Sequence, residues 1–192
     1  MINKTLFFDL ETQNTFEELK MHNKRDKDPS KLQLAIAGVL YEEDGIEKHK
    51  FFGENQTYDL LKTINQANLI VGHNLLMFDY KVIQPYFNEN ITHSLYDKTF
   101  DILIKLLPYT DNCWTALDNL AQLNLGMNKP HSGILIPKMW RDGKFKEVEE
   151  YLLNDLRMTK GIYEYIKKNK KIKYTHKEYG TIIGDREVIV KW

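Results

Sequence analysis

One cysteine, Cys113, stands in 192 residues. An internal disulfide is therefore impossible, and no Cys–His cluster suggests structural zinc, so a reducing compartment is expected. Charge of one sign is also missing: 27 lysines and arginines balance 27 acidic residues. That leaves no global field to draw the protein toward nucleic acid or a membrane surface. No apolar run approaches the ~18 residues a spanning helix needs. The start, MINKTLFFDL, has too short an apolar run, interrupted by charge, for a signal peptide. Internal repeats and low-complexity linkers are absent. These absences predict a soluble, cytoplasmic protein with no membrane partner.

What is present suffices for a core: 42% of residues are hydrophobic and 12% aromatic. The length suits one domain, 1–192, with a core over about 4–168 and a C-terminal basic segment and hairpin over 169–192. KTLFFDLE reads as a buried strand. Residues 13–31 are polar and charged, an exposed excursion with a short helix near Thr15–Met21 capped by Thr15. Strands are predicted at Leu32–Glu42 and Ile46–Gly53, joined by the hairpin signal EEDG. Thr57–Ala67 has helical spacing, NLIVGHN reads as a fourth strand, and LMFDYKVIQPYF as a helix ending near Pro85. Leu95–Thr99 reads as a fifth strand, followed by a helix to Leu107. Thr115–Gly126 reads as an amphipathic helix with Gly126 as its C-cap. Residues 128–144 read as a loop and Phe145–Lys168 as a long helix. The tail alternates and contains Gly184 and Asp185, which predicts a β-hairpin. The basic run KKNKKIKYTHK reads first as a solvated helix end, with a nucleic-acid contact as the alternative. The order predicts an α/β fold: an antiparallel three-strand meander extended by crossovers, with helices on both faces.

Against that frame the acidic residues are oddly placed. Asp9 and Glu11 are two apart, so on a strand they share a face. Asp79 falls early in the helix after the fourth strand, and Asp155 on the long late helix. Four carboxylates from three separated elements would repel one another beside the sheet unless divalent cations held them. All-oxygen sites of this kind suit Mg²⁺ or Mn²⁺. Two such ions can activate a water and stabilise the leaving oxygen of a phosphodiester. Tyr151 lies one helical turn before Asp155 and shares its face, where a phenol can orient a water or help take its proton.

The motifs FFDLET, VGHNLLMFDY and YLLND resemble the three motifs of the DEDD 3′–5′ exonuclease superfamily, in its DEDDy branch. Together with LDNLAQLNLG and MWRDGKFKEVEEYLLNDLRMT, they make the chain similar from about Lys4 to Tyr165 to a ribonuclease H-like exonuclease group sometimes found alongside helicase domains. The resemblance implies a ribonuclease H-like five-stranded mixed sheet. It implies that Asp9, Glu11, Asp79 and Asp155 bind two Mg²⁺ or Mn²⁺ ions and that Tyr151 orients the attacking water. It implies trimming of single-stranded DNA or RNA from the 3′ end to nucleoside 5′-monophosphates. Leu10 and Thr12 match residues that touch the terminal nucleotide. Asn74 and Phe78 match the N-x3-F-D pattern lining the substrate groove. A helicase or repair protein is the partner the resemblance suggests; no motor is present here, so it would be a separate chain. The 13–31 excursion is longer and more charged than the corresponding loop of simpler exonucleases.

Each of these residues has a plainer reading. Asp79 alone could favour the helix dipole. Asp101 reads as the N-cap of the helix from Ile102, and His73 as a strand-end histidine satisfied by backbone. Phe78 is as suited to a core as to a base platform. Trp114 and Trp140 read as packing residues, though Trp140 and Arg141 fall on a segment that could reach substrate. The rival to an enzyme is a non-catalytic nucleic-acid-binding or scaffold domain of a helicase or repair assembly. The complete carboxylate set weighs against it, since a pure binder gains nothing from that repulsion.

Overall fold

The first strand, β1 (Thr5–Thr12), carries two different faces. Leu6, Phe8 and Leu10 pack into one apolar cluster, while Phe7 belongs to a second on the opposite side. The period of two along a strand sorts them so, and it puts Asp9 and Glu11 on the Phe7 side. The computed structural model describes residues 4–129 and 132–192.

β1 pairs antiparallel with β2 (Leu34–Glu43), and β2 with β3 (Ile46–Gly53). Helix α1 (Thr57–Asn65) crosses to β4 (Leu69–Gly72), which runs parallel to β1. A π-helical turn, Leu75–Asp79, leads into α2 (Tyr80–Ile83) and a 3₁₀ turn, Gln84–Tyr86. Helix α3 (Ile91–Leu95) precedes β5 (Thr99–Asp101), parallel to β4, and α4 (Ile102–Leu106) follows. The five-stranded mixed sheet thus has the order β3-β2-β1-β4-β5. After it come α5 (Leu117–Leu125), α6 (Ile136–Arg141) and α7 (Phe145–Asn169). The chain then forms a separate hairpin of β6 (Lys171–Glu178) and β7 (Thr181–Ile189).

Helices α1 to α3 supply the cluster under Leu6, Phe8 and Leu10. Helices α4 to α7 and β6 supply the one under Phe7. The fold is therefore α/β, a mixed sheet with helices on both faces and a C-terminal hairpin. Among the described residues no helix is long and apolar enough to cross a membrane.

The 25-residue α7 holds the second layer together. Its buried positions, among them Val148, Tyr151, Leu152, Asp155, Leu156, Thr159 and Ile162, follow helical spacing. It lies close to the sheet because Gly38, paired with Asp9 across β1 and β2, has no side chain. A Cβ there would stand 2.8 Å from Leu156 and 3.0 Å from Leu152. That close approach brings Asp155 down beside β1.

Five local expectations are corrected. Leu95–Thr99 is not a strand: the Asn90 side chain accepts from His93 N at 2.9 Å and caps α3, so the fifth strand starts at Thr99. The loop predicted over 128–144 contains α6, started by Pro137 in its first turn and fixed by buried Ile136 and Met139. No helix forms over Thr15–Met21. Thr15 and Glu18 do make a reciprocal cap, at 3.1 and 2.8 Å, but no buried stripe follows and Lys20 turns left-handed at φ 59°. The hairpin turn falls at Tyr179 and Gly180, both at positive φ, and Gly184 sits within β7 opposite His176. Trp114 is also no packing residue, being 57% exposed.

Candidate metal centre

β1 ends its apolar run at Phe8, and from there its α7-facing side is anionic. Asp9, Glu11 and Asp155 each bring a carboxylate oxygen within 4.8 Å of the others. Two come from one strand face and the third from the helix packed on it. Asp79 stands outside that trio, 2% exposed at the end of the π-helical turn, where the charges of Asp9 and Glu11 act on it. The turn is set by Asp101, whose carboxylate accepts from Asn74 N at 2.9 Å and Leu76 N at 3.0 Å, and which also caps α4.

The electrostatics record the crowding. Burial, then the charge of Asp155, pushes the Asp9 carboxyl from 3.8 up to about 7. Burial and the charges of Asp9 and Asp155 push Glu11 well above the ordinary range, and burial with Asp9 does the same to Asp79. Asp155 is also raised, by burial, although Lys129 opposes the shift. Two carboxylate oxygens, Asp79 Oδ1 and Asp155 Oδ1, are buried with no hydrogen-bond partner among the described residues. Buried acceptors are nearly always paired.

Lys129 is the one basic group in contact with these carboxylates among the described residues. Its ammonium pairs with Asp155 and donates to the Tyr151 hydroxyl at 3.0 Å. Burial disfavours its charge, yet Asp155 and Tyr151 hold it and shift it upward overall. Tyr151 is 1% exposed, and burial with the Asp155 charge raises its hydroxyl, so it is a neutral phenol. Gly133 lies against that hydroxyl: a Cβ there would stand 3.1 Å from it. One ammonium cannot neutralise four carboxylates. Among the described residues the donor set is all hard oxygen with orphaned lone pairs turned inward, and it fits one or more divalent cations such as Mg²⁺ or Mn²⁺.

Two cavities meet at this point, sharing Gly133. The larger, about 750 Å³, is lined by Asp9, Asp155, Tyr151, Lys129, His73 and Gln122 among others. The smaller, about 420 Å³, is lined by Leu10, Glu11, Thr12, Phe78, Phe16 and Ile134 among others. Leu10, Thr12 and Phe78 thus gather on one side of the carboxylates, as Tyr151 does on the other. Asn74 lines neither cavity. It sits in the left-handed region at φ 70° and turns the chain out of β4. His73 bonds the Thr115 carbonyl at 2.9 Å, and burial lowers its pKa, so it is a neutral, backbone-satisfied ring. Arg141 reaches back to Gln13 and Glu18, and Trp140 packs on Phe145 at 4.7 Å between ring centroids.

Sequence reasoning missed Lys129, which lies in a stretch read only as loop. The available signal was electrostatic: a buried acidic cluster calls for a nearby cation. No family model matches the chain, and no curated protein matches it either.

Proposed function

We propose that the protein is a metal-dependent 3′–5′ exonuclease of the DEDDy branch of the ribonuclease H-like superfamily, acting on single-stranded DNA or RNA. The observation that carries this reading is the Asp9–Glu11–Asp155 trio, drawn to within 4.8 Å with one lysine against it and Tyr151 alongside. The mixed sheet flanked by helices is the architecture the motifs imply. Asp9, Glu11, Asp79 and Asp155 would hold two Mg²⁺ or Mn²⁺ ions, which when bound activate water and stabilise a phosphodiester's leaving oxygen.

The chain's own groups divide the remaining work. The two cavities on either side of the carboxylates give a strand and its terminal nucleotide separate places, with the scissile phosphate between them. Tyr151, a neutral phenol, orients the attacking water by hydrogen bonding rather than by taking its proton outright. Lys129 fixes both Tyr151 and Asp155 and sets a positive charge beside an anionic substrate. Leu10, Thr12 and Phe78 line the terminal nucleotide's side. The product is a nucleoside 5′-monophosphate.

The test is incubation of the purified protein with Mg²⁺ and DNA or RNA strands labelled at the 5′ end. A ladder shortening from the 3′ end is expected, stopped by EDTA and absent in Asp9→Ala. Intact strands with both Mg²⁺ and Mn²⁺, or trimming that survives Asp9→Ala, would refute the reading.

A further inference from the structure

The basic run at the end of α7 has no task in the chemistry above. The last 26 residues carry eight lysines and arginines against three acidic residues, in a chain of zero net charge. Lys167 stands three helical turns past Asp155, about 18 Å along the axis, so this charge lies away from the carboxylates. Four aromatic rings form a row beside it. Phe7 meets Tyr163 edge-on at 5.9 Å between centroids, Tyr163 meets Phe100 at 5.2 Å, and Phe100 meets Trp192 at 4.8 Å. The row lies on the same side of the sheet as Asp9 and Glu11 but toward the start of β1.

Tyr163, Phe100 and Trp192 are only half-buried, and two cavities open on them. One, about 590 Å³, is lined by Phe7, Tyr163, Lys160, Lys167 and Lys168 among others. The other, about 650 Å³, is lined by Phe100, Trp192, Tyr109, Lys105 and Lys191 among others. Lys167 Nζ lies 5.1 Å from the Tyr163 centroid and Lys105 Nζ 5.8 Å from that of Phe100. Lys160 is engaged by Glu47 and Glu164, at 3.3 and 3.9 Å. Lys105, Lys167, Lys168 and Lys191 form no side-chain ion pair among the described residues. Asp101 is buried in its cap, so Glu42 and Asp97 are the acids left on these cavities against those four lysines. A merely solvated helix end would need neither the rings nor the cavities beside them. Half-buried rings interleaved with unpaired lysines are the usual means of holding an unpaired strand without reading its sequence.

We infer that the end of α7 and the Phe7–Tyr163–Phe100–Trp192 row form a second, non-catalytic surface that binds the body of a single-stranded nucleic acid. The lysines take its phosphates and the rings its bases. The inference rests on the exonuclease reading for the identity of the polyanion and adds an anchor remote from the metal centre. A strand held there keeps its free end at high local concentration around the same chain, so long strands gain affinity that short ones cannot.

The test reads binding apart from cutting. Wild-type protein in EDTA is titrated with fluorescein-labelled oligothymidylate of about 20 nucleotides, a length beyond the usual site sizes. Saturable, salt-dependent binding is expected. Lys167→Glu with Lys168→Glu should weaken it at least about tenfold and lower the salt slope by about 1.4, two phosphate contacts at about 0.7 each. Lys50→Glu with Lys62→Glu makes the same charge change on β3 and α1 and should weaken binding far less. With Trp114→Phe and Trp140→Phe in place, the strand should quench the emission of Trp192. In Mg²⁺ the wild-type KM should fall about tenfold between strands of about 5 and about 20 nucleotides, and the Lys167→Glu, Lys168→Glu protein should lose that fall. Equal weakening by the β3 and α1 pair, an unquenched Trp192, or a wild-type KM independent of length would each overturn the inference. So would polyglutamate that displaces the strand as well as unlabelled oligothymidylate does, since the surface would then suit an acidic protein. A wild type that binds through the row yet trims nothing would uphold the surface and overturn the exonuclease reading. Trimming with no binding in EDTA would do the reverse.

Discussion

The two faces of β1 answer to different demands. Toward α1–α3, Leu6, Phe8 and Leu10 are buried hydrocarbon, at home in any core. Toward α7, Phe7 gives way to Asp9 and Glu11, and the packed helix adds Asp155 to them. The first face stabilises the protein. The second costs stability, because its carboxylates are driven toward their protonated forms. Buried repulsion of this kind is retained where it serves a site.

Exchanging the faces' chemistry gives the largest expected effect. Asp9→Asn should lower metal-dependent trimming by at least ~10³-fold, since one ligand is lost from a unit that acts together. Without metal, the same variant should melt no lower than the wild type, because a repelling charge is gone. On the opposite face Phe8→Ala should do the reverse. It should cost about 3–5 kcal/mol of stability, the usual figure for a large buried aromatic. A melting curve beside a trimming assay separates the two cases, and equal losses of stability at both positions would erase the distinction.

Next comes Tyr151→Phe, which keeps the ring and removes the hydroxyl. Trimming should fall by about 10²-fold with KM little changed, as for a group that acts on the reacting water. A full-strength Tyr151→Phe enzyme would leave the phenol only a packing role.

A milder signature is the response to pH. The folded-state pKa of Asp9 is raised from 3.8 to about 7, so the folded protein holds that proton more tightly than the unfolded chain. Its contribution to stability is therefore complete below about pH 4 and is lost as pH rises through about 7. Metal-free protein should lose stability across that window, and Mn²⁺ should restore it near pH 8 and do little near pH 4. A metal-free melting temperature that rises from pH 5 to 8 would have the sign wrong.

The smallest expected effect concerns how the faces are brought together. Gly38→Ala places a Cβ 2.8 Å from Leu156, so α7 or the leucine must shift. A cost of about 1–3 kcal/mol is expected, with reduced trimming as Asp155 moves with the helix. Ser30, whose side chain bonds only Asp28 among the described residues, at the edge of the excursion, provides the control: Ser30→Ala should leave trimming unchanged.

The sequence made the anionic face legible because strand and helix periodicities are short-range. Asp9 and Glu11 at two apart, and Tyr151 and Asp155 at four apart, declare shared faces without knowledge of the rest. The elements that escaped were those decided at a distance or by one cap. Asn90 diverts Leu95 into a helix, and burial of Ile136 and Met139 makes a helix of α6. Lys129 escaped for the same reason: nothing near it in the chain says that it faces Asp155, 26 residues on. Arg141 was noticed for its possible reach to substrate, whereas it ties down the excursion that carries Phe16.

The central claim is that cations, and not protons or Lys129 alone, make the anionic face tolerable. A Mn²⁺ titration of the wild type and Asp9→Asn at pH 8, followed by the paramagnetic signal of the free ion, tests it most directly. Two saturable sites per chain are predicted for the wild type, with at least one lost in the variant. A wild type that takes up no Mn²⁺ saturably, or a variant that binds it equally well, would contradict the account.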